Sequence, residues 1–411
     1  MNADASINPS SGVTDLASRV EAHLFGHILP FWSGPALDPE RGGWMAWLTN
    51  DLQPDRTKPR GLILNTRILW TFAAAWRARR EPRFQELAGR ALEWVMDRFW
   101  DAERGGAFWQ LDDLGRVVDD SKQAYGQAFY LYALAEYHLA FDSPAALARA
   151  RDVFELLERH LHDAAHGGYF EARPRDWSAA PVPAHVGGGE LGAAKSMNTT
   201  LHLLEAFTTL YRAWPDPRLA ARLRELLQLF CERILESRTG HLHHYFSADW
   251  KVLSDNYTFG HDIEGSWLLC EAAEALGDAT RVRQMEGVAL AIARAVLDEG
   301  LAADGGLAYE ARAGRIVDAG KEWWPQAEAV VGFLNAWQIS RDSRFLEAAR
   351  RVWDFIERCL VDRVHGDWFW RVTPEGQPDL RLPKVSEWKG PYHSARACLE
   401  AMRRLKKTPP R

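Results

Sequence analysis

Cysteine is scarce in this chain. There are four cysteines in 411 residues, and they stand far apart in the sequence. Cys231, Cys270, Cys359 and Cys398 each lie among apolar residues with helical spacing, and none has the close partner that a metal or redox motif requires. We therefore interpret them as small buried apolar side chains of a protein in a reducing compartment.

Long hydrophobic runs and an excess of basic residues are also absent. No stretch reaches the roughly 18 apolar residues that a membrane span needs, and residues 1–13 lack the apolar segment of a signal peptide. The net charge of −6 argues against the concentrated basic face that nucleic-acid binding requires. We predict a soluble, cytoplasmic protein without nucleic-acid or membrane partners. Residues 1–13 are predicted to be disordered, and residues 406–411 to form a basic tail.

Tryptophan, by contrast, is abundant, with 19 residues. Its flat apolar ring and single N–H donor suit both core packing and stacking on sugars. A motif of one or two glycines followed by aromatic residues recurs six times, at intervals of roughly 60 to 75 residues. The copies begin at Gly42, Gly105, Gly167, Gly240, Gly305 and Gly366.

Between these copies, apolar residues recur at three- and four-residue spacing, which predicts pairs of helices. The N-terminal helix, 14–31, has no local partner and can pair with the last one, 391–405. The pattern predicts an all-α fold: a closed (α/α)6 barrel over residues 14–405 with short β-hairpins at one rim. An open helical solenoid is the alternative, but the unpartnered first helix favours closure. The remaining segments are 63–78, 84–99, 123–139, 145–161, 197–214, 219–235, 262–276, 280–297, 323–339 and 344–360.

Polar and aromatic residues gather where the six inner helices are predicted to begin, although a buried helix should be apolar there. In a closed ring these ends would meet at one mouth. Each residue alone could be a cap, a core residue or an ion-pair partner, but their recurrence at one phase of the repeat favours a site. His241, His243 and His244 lack an acidic or cysteine companion, so no metal is predicted. The mouth residues are Arg67, Tyr125, Asn198, His202, His261, Glu264, Trp323, Trp324, Glu328, Trp388 and His393.

Five strings around these residues carry a family resemblance. They are 65–70 (NTRILW), 196–202 (SMNTTLH), 259–264 (FGHDIE), 323–329 (WWPQAEA) and 388–393 (WKGPYH). From about residue 20 to 405 the chain resembles the N-acylglucosamine 2-epimerase superfamily, most closely its cellobiose 2-epimerase branch. The resemblance implies an (α/α)6 barrel and cofactor-free epimerisation at C2 of a reducing-end sugar.

The resemblance also implies roles for individual residues. His261 and His393 match the acid–base histidines of the family. Arg67, His202 and Glu264 match its polarising and supporting groups, and Trp324 and Trp388 match its sugar-stacking residues. Tyr125, Asn198, Trp323 and Glu328 are assigned to substrate binding. The chain departs from the family at Gln123 and Thr200, where relatives often have histidine, and this leaves the substrate preference open.

This residue set predicts a mechanism. A C2 proton is acidic only when C1 is a carbonyl, so the sugar ring must open before one base removes the proton and a second group returns one on the other face. Histidine suits both tasks because its pKa is about 6.5. The predicted substrate is an unphosphorylated aldose such as cellobiose, handled by a monomer or homodimer. Mannose 2-epimerisation, mannose–fructose isomerisation, an (α/α)6 glycoside hydrolase with two carboxylates and a non-catalytic sugar-binding barrel are the alternatives.

Overall fold

The computed structural model describes residues 9–186 and 191–406, and helices dominate both ranges. None of the helices in these ranges has the length and apolarity that a membrane span requires. In chain order they are α1 (Pro9–His23), α2 (Leu29–Trp32), α3 (Leu62–Ala78), α4 (Pro82–Glu93), α5 (Ala124–Phe141), α6 (Pro144–His160), α7 (Met197–Ala213), α8 (Pro217–Leu229), α9 (Phe259–Leu276), α10 (Ala279–Ala295), α11 (Trp323–Ser340), α12 (Ser343–Phe355) and α13 (Tyr392–Lys406).

Several helices continue into a five-residue π-helical segment. One such segment, Leu24–Ile28, joins α1 to α2, so the N-terminal helical region begins at Pro9 and ends at Trp32. This helical region includes residues 9–13. These residues are predicted above to be disordered, because no apolar periodicity precedes Val13 in the sequence. Residues 1–8 and 407–411 of the predicted termini lie outside the described residues. The other π-helical segments are Trp94–Arg98, Phe230–Ile234, Val296–Gly300 and Ile356–Leu360.

Six helices, α3, α5, α7, α9, α11 and α13, form an inner ring. Each packs on the next, and α13 packs back on α3, which closes the ring. The inner helices are apolar around most of their circumference, as in α5, where every residue from Ala124 to Glu136 is buried. The outer helices bury one stripe, as in α4, where Phe84, Leu87, Ala88 and Ala91 face inward. This contrast puts one set of helices inside and the other outside.

The N-terminal helix completes the outer layer. Helix α1 packs beside α13, so the predicted closure between the two ends of the chain is confirmed and the open solenoid is wrong. Its Arg19 donates hydrogen bonds of 2.6 Å to Asp354 and Glu357, on α12 and the π-helical segment that follows it. The indole of Trp368 donates to His23 at 2.7 Å. Apolar burial and these polar contacts together hold the two ends of the chain in place.

Short strands lie at the end of the ring where the inner helices begin. Five of the inner helices follow directly on a strand that pairs antiparallel with a strand after the next outer helix, in the pairs β1–β2, β4–β5, β6–β9, β10–β11 and β13–β14. The predicted rim of short hairpins is confirmed. The strands are β1 (Arg60–Gly61), β2 (Gln110–Leu111), β3 (Val117–Asp119), β4 (Lys122–Gln123), β5 (Ala172–Arg173), β6 (Lys195–Ser196), β7 (Leu235–Glu236), β8 (His241–Leu242), β9 (Tyr245–Phe246), β10 (Asn256–Thr258), β11 (Glu310–Arg312), β12 (Arg315–Asp318), β13 (Lys321–Glu322) and β14 (Arg371–Val372).

The glycine–aromatic motifs form the tight loops of this rim. In the second copy, a bridge between Trp100 and Ala107 closes a loop that contains Gly105 and Gly106. Gly106 has φ +76°, and a Cβ there would lie 2.5 Å from the ring of Trp177. Only glycine satisfies both conditions. Loops of this kind bring the chain back to the N-terminal end of the next inner helix.

Candidate active site

Ten of the eleven predicted site residues line one cavity of about 200 Å³ at the strand-bearing end of the ring. They are Arg67, Tyr125, Asn198, His202, His261, Glu264, Trp323, Trp324, Trp388 and His393. Glu328, which we assigned to substrate binding, is fully buried behind His393 and lies outside the set that lines the cavity.

The positions of the histidines in their helices explain why they converge. His261 is the third residue of α9, and His393 is the second residue of α13. His202 lies in the second turn of α7. The first turns of these helices point their backbone N–H groups towards the same mouth, which favours negative charge in a bound ligand.

Each of the three histidines is held through its Nδ1 atom. Nδ1 of His202 lies 2.9 Å from Oε2 of Glu205, and Nδ1 of His393 lies 2.6 Å from Oε1 of Glu328. Nδ1 of His261 lies 2.6 Å from the hydroxyl oxygen of Thr258. A partner on Nδ1 fixes the ring and leaves Nε2 as the nitrogen available to a ligand.

Burial keeps two of these rings neutral. It lowers the pKa of His261 well below its usual value, and the nearby His244 and His202 lower it further. It also lowers the pKa of His393 well below its usual value, with added effects from Arg67 and Arg396. Neutral imidazoles can accept a proton, so both rings can act as bases at neutral pH.

The buried guanidinium of Arg396 organises the carboxylates behind the cavity. It donates to Glu264 and, at 2.7 Å, to Glu328, and it also contacts Glu205 and the hydroxyl of Tyr392. Burial alone would raise the pKa of Glu205, but Arg396 and His202 lower it to about 2. Burial and the neighbouring Glu328 raise the pKa of Glu264 to about 7.

Sequence reasoning missed this network. Arg396 lies in the second turn of α13, beyond both the start of the helix and the motif that ends at His393. Three glutamates within apolar stretches of neighbouring inner helices, Glu205, Glu264 and Glu328, were the available signal, because buried carboxylates require a cation.

Three residues that the sequence did not predict also form the wall of the cavity. Tyr309, Glu322 and Trp370 also line it, although the sequence analysis did not select them. Glu322 ends strand β13, and Tyr309 and Trp370 each directly precede a strand, β11 and β14. Such short strands have too little periodicity to place a side chain. Arg67 stands opposite, donating to the carbonyl oxygen of Trp388 at 2.7 Å and to the hydroxyl of Tyr125 at 3.1 Å.

Several buried polar atoms of the cavity residues have no hydrogen-bond partner among the described residues. They are Oδ1 of Asn198, Oε2 of Glu264, Nε1 of Trp323 and Nε of Arg67. Buried polar atoms are normally paired, so unpaired ones on a cavity wall point to a ligand. Two acceptors and two donors beside tryptophan rings match a ligand with several hydroxyl groups.

One grouping has the geometry of a metal site. Ligand atoms of Glu264, Glu328 and His393 lie within 4.8 Å of one another. Arg396 already donates to both carboxylates, so a guanidinium cation takes the place that a metal ion would need. The residues therefore fit a charge-balanced hydrogen-bond network better than a metal centre.

The two departures from the family pattern lie outside the residues that line the cavity. The side-chain amide of Gln123 donates to the carbonyl oxygen of Pro183 and accepts from the backbone N–H of His185, so it holds the segment that follows β5. The hydroxyl of Thr200 donates to the carbonyl oxygen of Ser196 at 2.7 Å, within its own helix.

The chain is similar to known proteins in both sequence and fold. The model of the N-acylglucosamine 2-epimerase (GlcNAc 2-epimerase) family matches residues 43–397. A cellobiose 2-epimerase of Bacteroides fragilis is 40% identical over 94% of this chain and 98% of its own length. The structure of cellobiose 2-epimerase from Spirochaeta thermophila has a TM-score of 0.88 and 41% identity, covering 98% of this chain and 99% of that one. A D-mannose isomerase structure, with 21% identity, a TM-score of 0.81 and coverage of 94% and 97%, shares the fold.

Proposed function

This chain belongs to the N-acylglucosamine 2-epimerase family, and we propose that it interconverts the C2 epimers at the reducing end of cellobiose or a similar unphosphorylated β-1,4-linked disaccharide. It is an isomerase, like the curated relatives that it matches over nearly their full length. The observation that carries the proposal is the presence of three histidines, each fixed at Nδ1, on the wall of one tryptophan-lined cavity.

The first step is opening of the sugar ring, which needs a proton at the ring oxygen and removal of one from the C1 hydroxyl. Glu264 suits this step because its pKa is raised to about 7 and its Oε2 atom is unpaired. It can therefore hold or release a proton at neutral pH. His202, fixed by Glu205, lines the same cavity and is the neighbouring group that can share these proton transfers.

The second step is transfer at C2. One of the two histidines His261 and His393 removes the C2 proton, the C–H electron pair enters an enediolate, and the other histidine returns a proton on the opposite face. Arg67 and His202 stabilise the oxyanion, at about 3–4 kcal/mol per donor in comparable sites. The histidine that removes the proton is neutral before the step, which burial favours by lowering its pKa, and the other histidine carries the proton that it returns.

The size of the cavity supports a disaccharide with only one ring inside. A volume of about 200 Å³ is below the roughly 300–1,000 Å³ of pockets that enclose drug-sized ligands. Trp388 lies on the wall and is partly exposed, so its ring can stack on a second sugar ring, and the buried ring of Trp109, 5.8 Å away, supports it. Of the residues that line the cavity, Arg67 is the only arginine or lysine, and a phosphate clamp would need more.

Hydrolysis is a poorer match to this geometry. A glycoside hydrolase needs two carboxylates on either side of the scissile bond. Of the two carboxylates that line the cavity here, Glu264 is bound by Arg396 and Glu322 accepts a hydrogen bond from the indole of Trp324, while Glu328 is outside the lining. A cytoplasmic location, the absence of nucleic-acid partners and a monomeric or homodimeric state stay predictions.

The test is incubation with cellobiose, mannose and N-acetylglucosamine in D₂O, followed by NMR. We expect cellobiose to give its glucosyl-mannose epimer with deuterium at C2, and at the highest kcat/KM. A ketose product would instead support an isomerase of the mannose–fructose type. Release of glucose, or no turnover of any of the three sugars, would contradict the proposal.

A further inference from the structure

The three histidines of the cavity do not have equivalent partners. His202 and His393 each place Nδ1 against a buried carboxylate, Glu205 and Glu328. His261 places Nδ1 against the hydroxyl of Thr258, at 2.6 Å. A carboxylate can only accept from an imidazole and stabilises its charged form, whereas a hydroxyl can donate or accept and carries no charge.

Thr258 lies at the N-cap of α9, but its side chain does not cap the helix. It is the N-cap residue of α9, where a threonine normally accepts a hydrogen bond from the first turn of the helix, but its side chain makes no such bond. Ser196, the N-cap of α7, does make it, accepting from Thr199 N–H at 3.1 Å. The hydroxyl of Thr258 is committed to His261 instead.

The backbone of Thr258 is also fixed. Its N–H donates to Nε2 of His244 at 3.2 Å, and its Cα pairs with that of Glu310 across β10 and β11. The His244 ring stands 5.4 Å from the His261 ring, at nearly a right angle. Nε2 of His244 accepts this bond, and burial lowers the pKa of the His244 ring to about 4.

We propose that Thr258 is a positioning residue for His261: its hydroxyl aims Nε2 of that ring at C2 of the sugar while leaving the ring without a carboxylate that would retain a captured proton. The proposal rests on the proposed function. When His261 takes the C2 proton, the C–H bond breaks and an N–H bond forms at Nε2. The imidazolium of His261 has only the neutral hydroxyl of Thr258 as its partner, so it gives the proton up readily. The imidazolium of His393 is instead stabilised by the carboxylate of Glu328.

Other ionisable groups face His261 from the elements that pack around it. Their titration also contributes to the pH profile of the enzyme. His202 comes from α7, His244 from the chain between β8 and β9, and His393 from α13. Arg67, Glu264 and Glu322 line the same cavity, and Glu264 lies one turn beyond His261 on α9. Glu264 is bound by Arg396 and does not contact Nδ1 of His261.

Three substitutions test the proposal, with kcat, KM, melting temperature and pH profile measured for each in both directions of epimerisation. Thr258→Val removes the hydroxyl, and we expect kcat to fall about 10- to 100-fold with little change in KM, because the base is no longer aimed. Thr258→Ser keeps the hydroxyl and should remain close to wild type. Thr258→Asp adds a carboxylate, which should move the acidic limb of the profile upward by about 1–3 pH units.

The matched control is Thr208→Val on α7, where the buried hydroxyl bonds only the carbonyl oxygen of Leu204 in its own helix. It should keep the wild-type kcat. Wild-type kcat in Thr258→Val would overturn the proposal. So would equal losses in the Val and Ser variants with lower melting temperatures, or an unmoved acidic limb in Thr258→Asp.

A readout that needs no substrate separates this proposal from the proposed function. Imidazole ¹⁵N NMR of the wild type and Thr258→Val should show a changed tautomer ratio for His261 and unchanged resonances for His393. If the wild type fails to epimerise any sugar but this change is seen, the proposed function is wrong, although the hydroxyl of Thr258 still fixes the His261 ring. An unchanged His261 spectrum would overturn the positioning role whatever the activity.

Discussion

At the scale of single residues, the site combines two opposite electrostatic environments a few ångströms apart. Behind the cavity, Arg396 and three glutamates form a dense set of buried charges. At the cavity wall, burial lowers the pKa of His261 and of His393 and so favours the uncharged form of each ring. Proton transfer at carbon needs this separation, because the base must be neutral while the enediolate that forms needs nearby donors.

Replacing either proposed base tests the two-histidine mechanism directly. We expect His261→Asn and His393→Asn each to lower kcat by about 10²–10⁴-fold, the usual contribution of a general acid or base. Sugar binding should persist, because the tryptophan walls and Arg67 are untouched. Steady-state kinetics and a binding isotherm for cellobiose measure the two effects.

The matched control is His243→Asn, a partly buried histidine on the rim that lies outside the residues lining the cavity. It should retain wild-type turnover. Either active-site variant keeping more than about a tenth of the wild-type rate, or an epimer without deuterium at C2 in D₂O, would exclude the assignment.

The pH dependence of kcat/KM follows from the shifted histidines. A base works only in its neutral form, and burial lowers the pKa of both His261 and His393. The neutral form therefore persists at lower pH, and the acidic limb should lie below the ordinary histidine value of about 6.5. A rate profile measured from pH 4 to pH 8 decides this, and a limb at or above 6.5 would show that the bases are not desolvated.

The residues that line the cavity were easier to predict from the sequence than the residues that hold them in place. His202, His261 and His393 could be selected because a polar residue in the first turns of an apolar helix is visible in one sequence. Arg396 and Thr258 could not, because their roles depend on which side chains other helices bring to them. Tyr309 comes from a rim segment where no periodicity constrains direction.

At the scale of elements, five of the six inner helices are preceded by a buried basic side chain whose ion pair the sequence repeat does not reveal. A lysine or arginine from the segment leading into the helix binds an aspartate of a rim loop. The pairs are Arg60–Asp38, Lys122–Asp101, Lys195–Asp163, Lys321–Asp304 and Lys384–Asp362. In the fourth copy His241 lies between Asp262 and Glu299 instead, at 2.8 and 3.2 Å.

The start of each inner helix was predictable to within about three residues, since apolar periodicity of this length is a strong signal. The ion pairs were not, because a lysine before a helix is more often a solvated residue than a buried one. The glycine–aromatic motif that marks each rim loop was the visible part of a larger repeat. Its aspartate, four residues before the first glycine in copies such as 38–42 and 163–167, was the missing part.

Breaking one pair should destabilise the protein far more than breaking a surface pair. Lys195 is fully buried and donates to Asp163 and to the carbonyl oxygens of Gly167 and Ala248, all within 2.8 Å. Lys195→Met leaves the buried carboxylate without this partner, which typically costs about 3–5 kcal/mol. Denaturant unfolding followed by circular dichroism measures the loss.

Arg116→Met is the matched control, since Arg116 pairs with Asp112 on the surface. It should unfold with the wild-type midpoint. Equal midpoints for the Lys195 and Arg116 variants would show that the buried pairs do not hold the rim.

At the scale of the whole molecule, the site exists only because the ring closes. Arg67 on α3 and His393 on α13 come from opposite ends of the chain, and both line the same cavity. Contact between α13 and α3 brings them together, and α1 packs on α13. Closure was predictable from the unpartnered first helix, whereas the order of packing at the junction needed the structure.

Removal of the N-terminal helical region should therefore abolish cooperative folding, and with it the site. Leu16, Val20, Leu24 and Ile28 are fully buried in that region. At about 1.5–3 kcal/mol each, their burial contributes roughly 6–12 kcal/mol, comparable with the whole stability of about 5–15 kcal/mol of a typical protein. A chain beginning after Trp32 should show no cooperative thermal transition by calorimetry.

Within the full chain, Val20→Asp places an unpaired charge in the same buried face and should lower the melting temperature strongly. Glu21→Gln, on the exposed side of α1, should leave the melting temperature unchanged. A truncated chain that unfolds cooperatively and still turns over sugar would mean that five hairpins and a lone inner helix suffice, and that α1 does not close the ring.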